Sequence, residues 1–391
     1  QPDQIFKDQR FTITAKIVTN PSIEASMSTS NSASSLCQEP DAEWVGEALG
    51  VRIEHLEATR LGVGRGFQST AWKLAIMCEG HSEEKTIILK SESTNADSNQ
   101  FSRENNSFTR EIGFYNHCAP KLTNTKPAIF ASSNQLPAWL LMEDLSALRS
   151  GDQVIGLTLK DTVSAIKAAA KVHASFWMDE DLPSHDWLPK HQFWFDSKQE
   201  EGIEDFFTTY GVRLGDKACD LLRAVLTQQE AIQAALDARP WSLIHGDLRA
   251  DNLLFESDDS QDPCRLIDWS WTARSCPAID IAFLIGGSTP TSQRDSHHEE
   301  LLLVWHQELI NRGVTNYPLS MARLDLQLAA LRTMTTGVVL HGFSKNPDTS
   351  KRAALFIDDA AQRHAAYAIE IKAWEALPDP SAFQKGHSDG P

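Results

Sequence analysis

Residues Trp241–Trp271 read WSLIHGDLRADNLLFESDDSQDPCRLIDWSW, and the order of polar groups in that run decides how the rest of the chain is read. Leu243 and Ile244 lead into His245-Gly246-Asp247, and Asn252 follows five residues after Asp247. Leu253, Leu254 and Phe255 form a short apolar run with strand character. A polar turn of Asp, Ser and Gln follows, and then Arg265, Leu266 and Ile267 run into Asp268. Two short strands joined by a polar turn predict a hairpin. Such a hairpin holds Asp247, Asn252 and Asp268 near one point.

That trio suits phosphoryl transfer. A nucleoside triphosphate brings several negative charges, which Mg2+ must bridge, and Mg2+ takes a few hard oxygen ligands at short distance. An Asn amide oxygen and an Asp carboxylate are such ligands, and a second carboxylate off the metal can orient and deprotonate the attacking hydroxyl. His245, Asp247, Asn252 and Asp268 stand in the order of a kinase loop: H-x-D, four residues, Asn, then a second metal Asp after a hairpin. The wording resembles the aminoglycoside phosphotransferase and choline kinase superfamily. HGDLRADNLLF is most similar to its ecdysteroid-kinase-like group and that group's bacterial and fungal relatives. Gly246 replaces the Arg of the protein-kinase H-R-D, which favours the small-molecule branch, and Trp269 stands where protein kinases have the Phe of D-F-G. The resemblance covers about residues 45–375. It implies an α+β, two-lobed protein-kinase-like fold, with a small N-terminal antiparallel-sheet lobe and a larger, mainly helical C-terminal lobe. It implies ATP and Mg2+ as cofactors, Asp247 as base or orienter, and Asn252 and Asp268 as metal ligands.

Composition narrows the partners. The 391 residues carry a formal net charge of −17. A nucleic-acid backbone or an anionic membrane would repel such a surface, so neither is expected as a partner. No window of about 18 apolar residues exists to span a bilayer. The six cysteines, at 37, 78, 118, 219, 264 and 276, form no C-x-x-C pair, which reads as buried free thiols in a reduced, cytoplasmic protein. Ser296–Glu300, SHHEE, reads as helix surface rather than a metal site, because adjacent histidines on a helix face different ways.

Upstream of the central run, residues 1–40 are Ser-rich and poor in apolar groups, and read as disordered or foreign to the native chain. Met27 reads as the natural start. Residues 41–145 read as the ATP-binding lobe. Asp41–Leu49 is a short helix, and strands follow at Val51–Ala58, Ala71–Met77, Lys85–Leu89, Pro127–Ala131 and Ala138–Glu143. Between the first two strands, LGVGRGFQST brings Gly62, Gly64, Gly66 and Ser69 into a turn. Glycines there let backbone N–H groups approach phosphates. The resemblance implies that Lys90, at the end of the third strand, contacts phosphates. A helix over Phe101–Cys118 then supplies Glu111, with Glu104 as the alternative, to hold that lysine. It also implies that Met142, Glu143 and Asp144, at the end of the fifth strand, meet the adenine edge.

Residues 146–378 read as the catalytic and substrate-binding lobe, and 379–391 as a flexible tail. Leu157–Trp177 is an amphipathic helix, with His173 on its apolar face as a core histidine. Further helices are expected at 202–212, 215–237, 293–311, 318–342 and 350–375. PAIDIA at Pro277–Ala282 matches a family helix start, and Asp280 there braces the catalytic loop. Arg249 balances charge beside the base, pairs with an acid or contacts substrate, and Trp177 and Trp194 are candidates for a substrate wall. The 11 tryptophans lean the acceptor toward an apolar, hydroxylated metabolite, steroid- or terpenoid-like. An aminoglycoside- or choline-type acceptor and a nucleotide-binding pseudokinase scaffold are the alternatives. A monomer or homodimer is expected.

Overall fold

A computed structural model describes residues 40–61, 69–192, 197–256, 263–344 and 351–384 of the chain. It divides after Leu148 into two compact units.

The first unit is built on a five-stranded antiparallel sheet. Its strands are β1 (Ile53–Leu61), β2 (Ser69–Cys78), β3 (Lys85–Glu92), β4 (Ile129–Ser133) and β5 (Trp139–Glu143), in the spatial order β1-β2-β3-β5-β4. Alternation along the strands puts Leu74 and Ile76 of β2, Ile87 and Leu89 of β3, and Trp139 and Leu141 of β5 into one buried cluster. Helix α1 (Ala42–Leu49) closes that cluster with Trp44 and Val45, and the Trp44 ring meets Trp139 edge-on at 5.0 Å. Each such side chain removed from water contributes about 1.5–3 kcal/mol. Asp41 caps α1 by accepting the Trp44 N–H at 2.8 Å, and Gly50, at φ 69°, ends it in a left-handed turn.

The helix expected over Phe101–Cys118 is two helices, α2 (Ala96–Glu104) and α3 (Ser107–Gly113), followed by a π-helical turn over Phe114–Cys118. The break is local chemistry. Asn105 donates from its side chain to the Phe101 carbonyl at 2.8 Å, and Asn106 takes a left-handed φ of 53°. Asn is the residue type that does both readily.

The second unit is mainly helical. Its larger helices are α4 (Leu159–Ser175), α5 (Ser197–Leu214), α6 (Asp216–Thr227) and α7 (Gln229–Asp237). They continue with α8 (Ala278–Phe283), α9 (Thr291–Arg294), α10 (His298–Asn311), α11 (Leu319–Ser344), α12 (Lys351–Glu370) and α13 (Ser381–Gln384). Helices expected as single pieces at 215–237 and 293–311 are each divided. Gln228 breaks the first, and Ser296, at φ 64°, lies between the halves of the second. The expected hairpin is present: β8 (Leu253–Phe255) pairs antiparallel with β9 (Cys264–Leu266). Two features around it were not foreseen. Strand β6 (Arg149–Ser150) adds to β8, and β7 (Ser242–Ile244) pairs with β10 (Ala273–Ser275). Among the described residues, no helix is long and apolar enough to cross a membrane. Among the described residues, Cys78, Cys118, Cys219, Cys264 and Cys276 form no disulfide.

Candidate active site

The central run enters the site from β7. Its last residue, Ile244, accepts a hydrogen bond from the Thr272 hydroxyl at 2.8 Å. His245 and Gly246 then turn the chain, and both backbone N–H groups point at one carboxylate. Asp280 Oδ2 accepts from His245 N at 2.7 Å, and Asp280 Oδ1 accepts from Gly246 N at 2.9 Å. Asp280 is itself held by His173 Nε2 at 3.2 Å. The Trp305 indole, which can only donate, reaches His173 Nδ1 at 3.3 Å, so Nδ1 accepts and Nε2 carries the proton toward Asp280. His173 is thus a core histidine that supports the loop rather than a group in the chemistry. Gly246 is required twice over: its φ is 80°, and a Cβ would lie 2.1 Å from the Trp271 carbonyl oxygen.

His245 joins the two halves of the run. Its Nε2 meets the Ile267 carbonyl at 3.0 Å, its Nδ1 accepts the Asp247 N–H at 3.3 Å, and its ring lies 4.6 Å from that of Trp269. The hairpin adds a second tie, with Ile267 N donating to the Asn252 carbonyl at 3.0 Å. These contacts bring Asp247, Asn252 and Asp268 together, as the spacing predicts.

The three side chains are differently committed. Asn252 Nδ2 donates to the Asp247 carbonyl at 2.8 Å and to Asp247 Oδ2 at 2.9 Å. Arg249 Nε donates to the same Oδ2 at 3.1 Å. Two donors therefore hold Oδ2 of Asp247, while its Oδ1 accepts none of these bonds. The orientation of the Asn252 amide likewise leaves its Oδ1 pointing away from Asp247. Asp268 accepts the Ser270 hydroxyl on Oδ1 at 2.7 Å, and its φ of 64° is uncommon for a residue with a side chain. Burial pushes the Asp247 carboxyl above its usual range, the Arg249 charge pulls it back, and the Asp268 charge pushes it up again.

In the first unit, Lys90 Nζ lies 2.6 Å from Glu111 Oε2, and the Glu111 side chain is only 1% exposed. Glu104, the alternative, instead accepts from Gln100 at 2.7 Å on the surface. Ser69 opens β2 opposite Glu92. Met142 is buried in β5, Glu143 accepts the Ala128 N–H at 2.9 Å, and Asp144 pairs with Lys73 at 2.8 Å. Burial raises the Asp144 carboxyl, but hydrogen bonds from Lys73, Ser146 and Thr86 win and hold it at about 2. Trp177 packs edge-on against Tyr317 at 4.8 Å, beside Trp305. Gly62, Gly64, Gly66 and Trp194 lie outside the described residues.

Sequence reasoning missed several groups around the loop. Gln153 is buried, accepts the Ala250 N–H on Oε1 at 2.9 Å, and donates to the Gly287 carbonyl at 2.9 Å. Asp251 accepts from Arg249 at 2.8 Å and from Arg352 at 2.7 Å. Nothing in the local wording around Gln153 or Arg352 signals these roles, since their partners are about a hundred residues away.

The fold and this loop place the chain among kinase-like phosphotransferases. It belongs to the ecdysteroid kinase-like family, whose description matches residues 63–313, and so to the enzymes that phosphorylate an alcohol group. No curated protein sequence matches it significantly. Among solved structures it is similar to a microcompartment-associated aminopropanol kinase. That match has a TM-score of 0.52 and 16% identity, and covers 86% of this chain and 99% of that one. It is also similar to an ethanolamine kinase of Plasmodium vivax, with a TM-score of 0.47, 13% identity and 82% coverage of both chains. The ADP-bound aminoglycoside phosphotransferase APH(2'')-Ib matches at TM-score 0.46 and 14% identity, over 84% of this chain and 99% of that one. At these identities the first match supports the shared fold and nothing finer.

Proposed function

We propose that the protein transfers the γ-phosphoryl group of ATP to a hydroxyl of a small, rather apolar hydroxylated metabolite, with Asp247 as the group that receives that hydroxyl. The observation that carries this reading is the asymmetric commitment of the Asp247 carboxylate. Oδ2 is held by Asn252 and Arg249, so Oδ1 is the oxygen that can accept the incoming O–H. A loose, metaphosphate-like transition state demands little proton removal until late, so alignment of the hydroxyl matters as much as basicity.

The residues fit a divalent cation. Asn252 has its amide nitrogen tied to Asp247, which leaves its oxygen as a hard ligand atom, and Asp268 follows the hairpin with a carboxylate. Among the described residues no cluster of three or more His, Cys, Asp or Glu is arranged to hold a metal alone. A site that supplies two oxygens and takes the rest from phosphates and water is the one Mg2+ prefers. Bound Mg2+ would neutralise charge on the transferring phosphoryl group. Lys90, held by Glu111, is the first unit's candidate for contacting phosphates.

Family membership supports an alcohol acceptor, and the preference for an apolar one is our extension of it. Four of the 11 tryptophans, Trp44, Trp139, Trp269 and Trp305, are buried core and lend that preference no support. A screen of hydroxylated metabolites for ATP consumption, read by product mass, tests the proposal. The expected product is a monophosphate ester, and ADP release without any phosphorylated alcohol would count against it.

A further inference from the structure

One ion-pair network runs from the candidate base to a helix about a hundred residues further along the chain. Arg249 donates from Nε to Asp247 and from Nη1 to Asp251 Oδ2 at 2.8 Å. Asp251 Oδ1 in turn accepts the Gln153 N–H at 2.9 Å and Arg352 Nη2 at 2.7 Å. Arg352 stands in the first turn of α12, and its other arm reaches the Asp152 carboxylate at 3.1 and 3.2 Å. One turn later, the Phe356 ring lies under the Arg249 guanidinium, 5.3 Å from its centroid. The first two turns of α12 therefore reach Arg249 twice, once through Asp251 and once through an aromatic face.

We propose that these two turns belong to the catalytic apparatus: Arg352 and Phe356 are positioning residues that fix Arg249, and through it the Asp247 carboxylate. The proposal rests on the reading of Asp247 given above. Arginine is a long, flexible side chain, and its planar fork holds one geometry only when several partners fix it. Asp251 fixes one arm of Arg249, but a carboxylate held on one oxygen alone can rotate. Arg352 and the Gln153 N–H hold its other oxygen. Without Arg352, Asp251 keeps only the Gln153 N–H and Arg249 as the donors named here, and its pull on the guanidinium that also holds Asp247 is no longer balanced from the far side. The Arg352 side chain is 28% exposed and that of Asp251 is 22% exposed. A partly buried pair of this kind contributes less to folding than a fully buried one, so unfolding is read beside rate to separate holding the base from holding the fold. A misplacement of about 1 Å at a reacting group can cost about a hundredfold in rate.

The test uses ATP·Mg hydrolysis, with water as acceptor, read by phosphate release, together with calorimetric ATP·Mg binding and thermal unfolding. Arg352→Gln should lower kcat by at least about tenfold. The KM for ATP and the unfolding temperature should stay near wild type. Arg352→Lys should recover part of the loss, because an ammonium keeps the charge but cannot bridge two carboxylates as the fork does. Phe356→Ala should fall in the same direction as Arg352→Gln. The deciding variant is the double one: if Arg352 acts through Asp247, Asp247→Asn/Arg352→Gln should be no slower than Asp247→Asn alone. Wild-type kcat in Arg352→Gln, or a loss that multiplies fully in the Asp247→Asn background, would overturn the positioning role. Equal phosphate release by wild type and Asp247→Asn would instead overturn the reading of Asp247 itself, and the proposal with it.

Discussion

Gly246 and Asp280 show how single residues make the loop possible. Placing Ala at 246 puts a Cβ 2.1 Å from the Trp271 carbonyl oxygen, at a φ of 80° that L-residues avoid. Gly246→Ala is expected to lose at least about 2 kcal/mol of stability, measurable by denaturant unfolding. Asp280→Ala strips the acceptor from two buried N–H groups, those of His245 and Gly246. Each orphaned donor costs about 1–3 kcal/mol, so a loss of about 2–6 kcal/mol is expected, with activity falling alongside. An Asp280→Ala protein as stable as wild type would mean that the loop does not need this acceptor. At this scale the sequence is most legible where the partners are close along the chain. His245, Asp247, Asn252 and Asp268 are set by a turn and a hairpin, so their spacing is enough to bring them together. Arg352 meets Asp152 across 200 residues of chain, and no local pattern announces that contact.

Elements were legible by type and less so by extent. The strand alternation and the apolar face of α4 survive in the structure, because burial imposes them. The break between α2 and α3 follows from two consecutive asparagines, one bonding back to the Phe101 carbonyl and the next in a left-handed turn, a local competition that apolar periodicity over Phe101–Cys118 conceals. That break leaves Glu111 on a short, separate helix, with Lys90 at 2.6 Å. Glu111→Gln keeps the shape but removes the charge, and should weaken ATP·Mg binding by about tenfold, the equivalent of about 1.4 kcal/mol, as read by calorimetry. Helix α12 carries a second testable group. His364 is buried against Gly286 and Gly287, where a Cβ would stand 2.8 Å and 2.7 Å from its ring nitrogens. Burial, and then the charges of Arg294 and Arg363, pull its pKa down to about 3. In the unfolded chain a histidine titrates near about 6.5. Between those values the unfolded state holds the extra proton, so this group costs stability as pH falls below about 6.5, by at most about 1.4 kcal/mol per unit. Denaturant unfolding of wild type and His364→Asn across that range should show a slope shallower by about one proton in the variant. Equal slopes would show that His364 is protonated in the fold.

At the scale of the molecule, the candidate residues fall in both compact units. Lys90 and Glu111 belong to the first, and Asp247, Asn252 and Asp268 to the second. The two-lobed class was readable from the order of strands, helix and loop, since a kinase-like chain lays these down in a fixed sequence. The acceptor was not readable, because no single run of the sequence spells out what would surround it. The central claim is that Asp247 acts on the acceptor hydroxyl and not on the nucleotide, and one pair of measurements on one variant tests it. Asp247→Asn keeps the shape and one acceptor oxygen, but loses charge and basicity. Phosphorylation of an alcohol identified in the screen should slow by at least about a hundredfold. Calorimetric ATP·Mg affinity should remain at the wild-type value, because Asn252, Asp268 and Lys90 are intact. If affinity instead fell as steeply as turnover, Asp247 would be a metal ligand and the account would be contradicted.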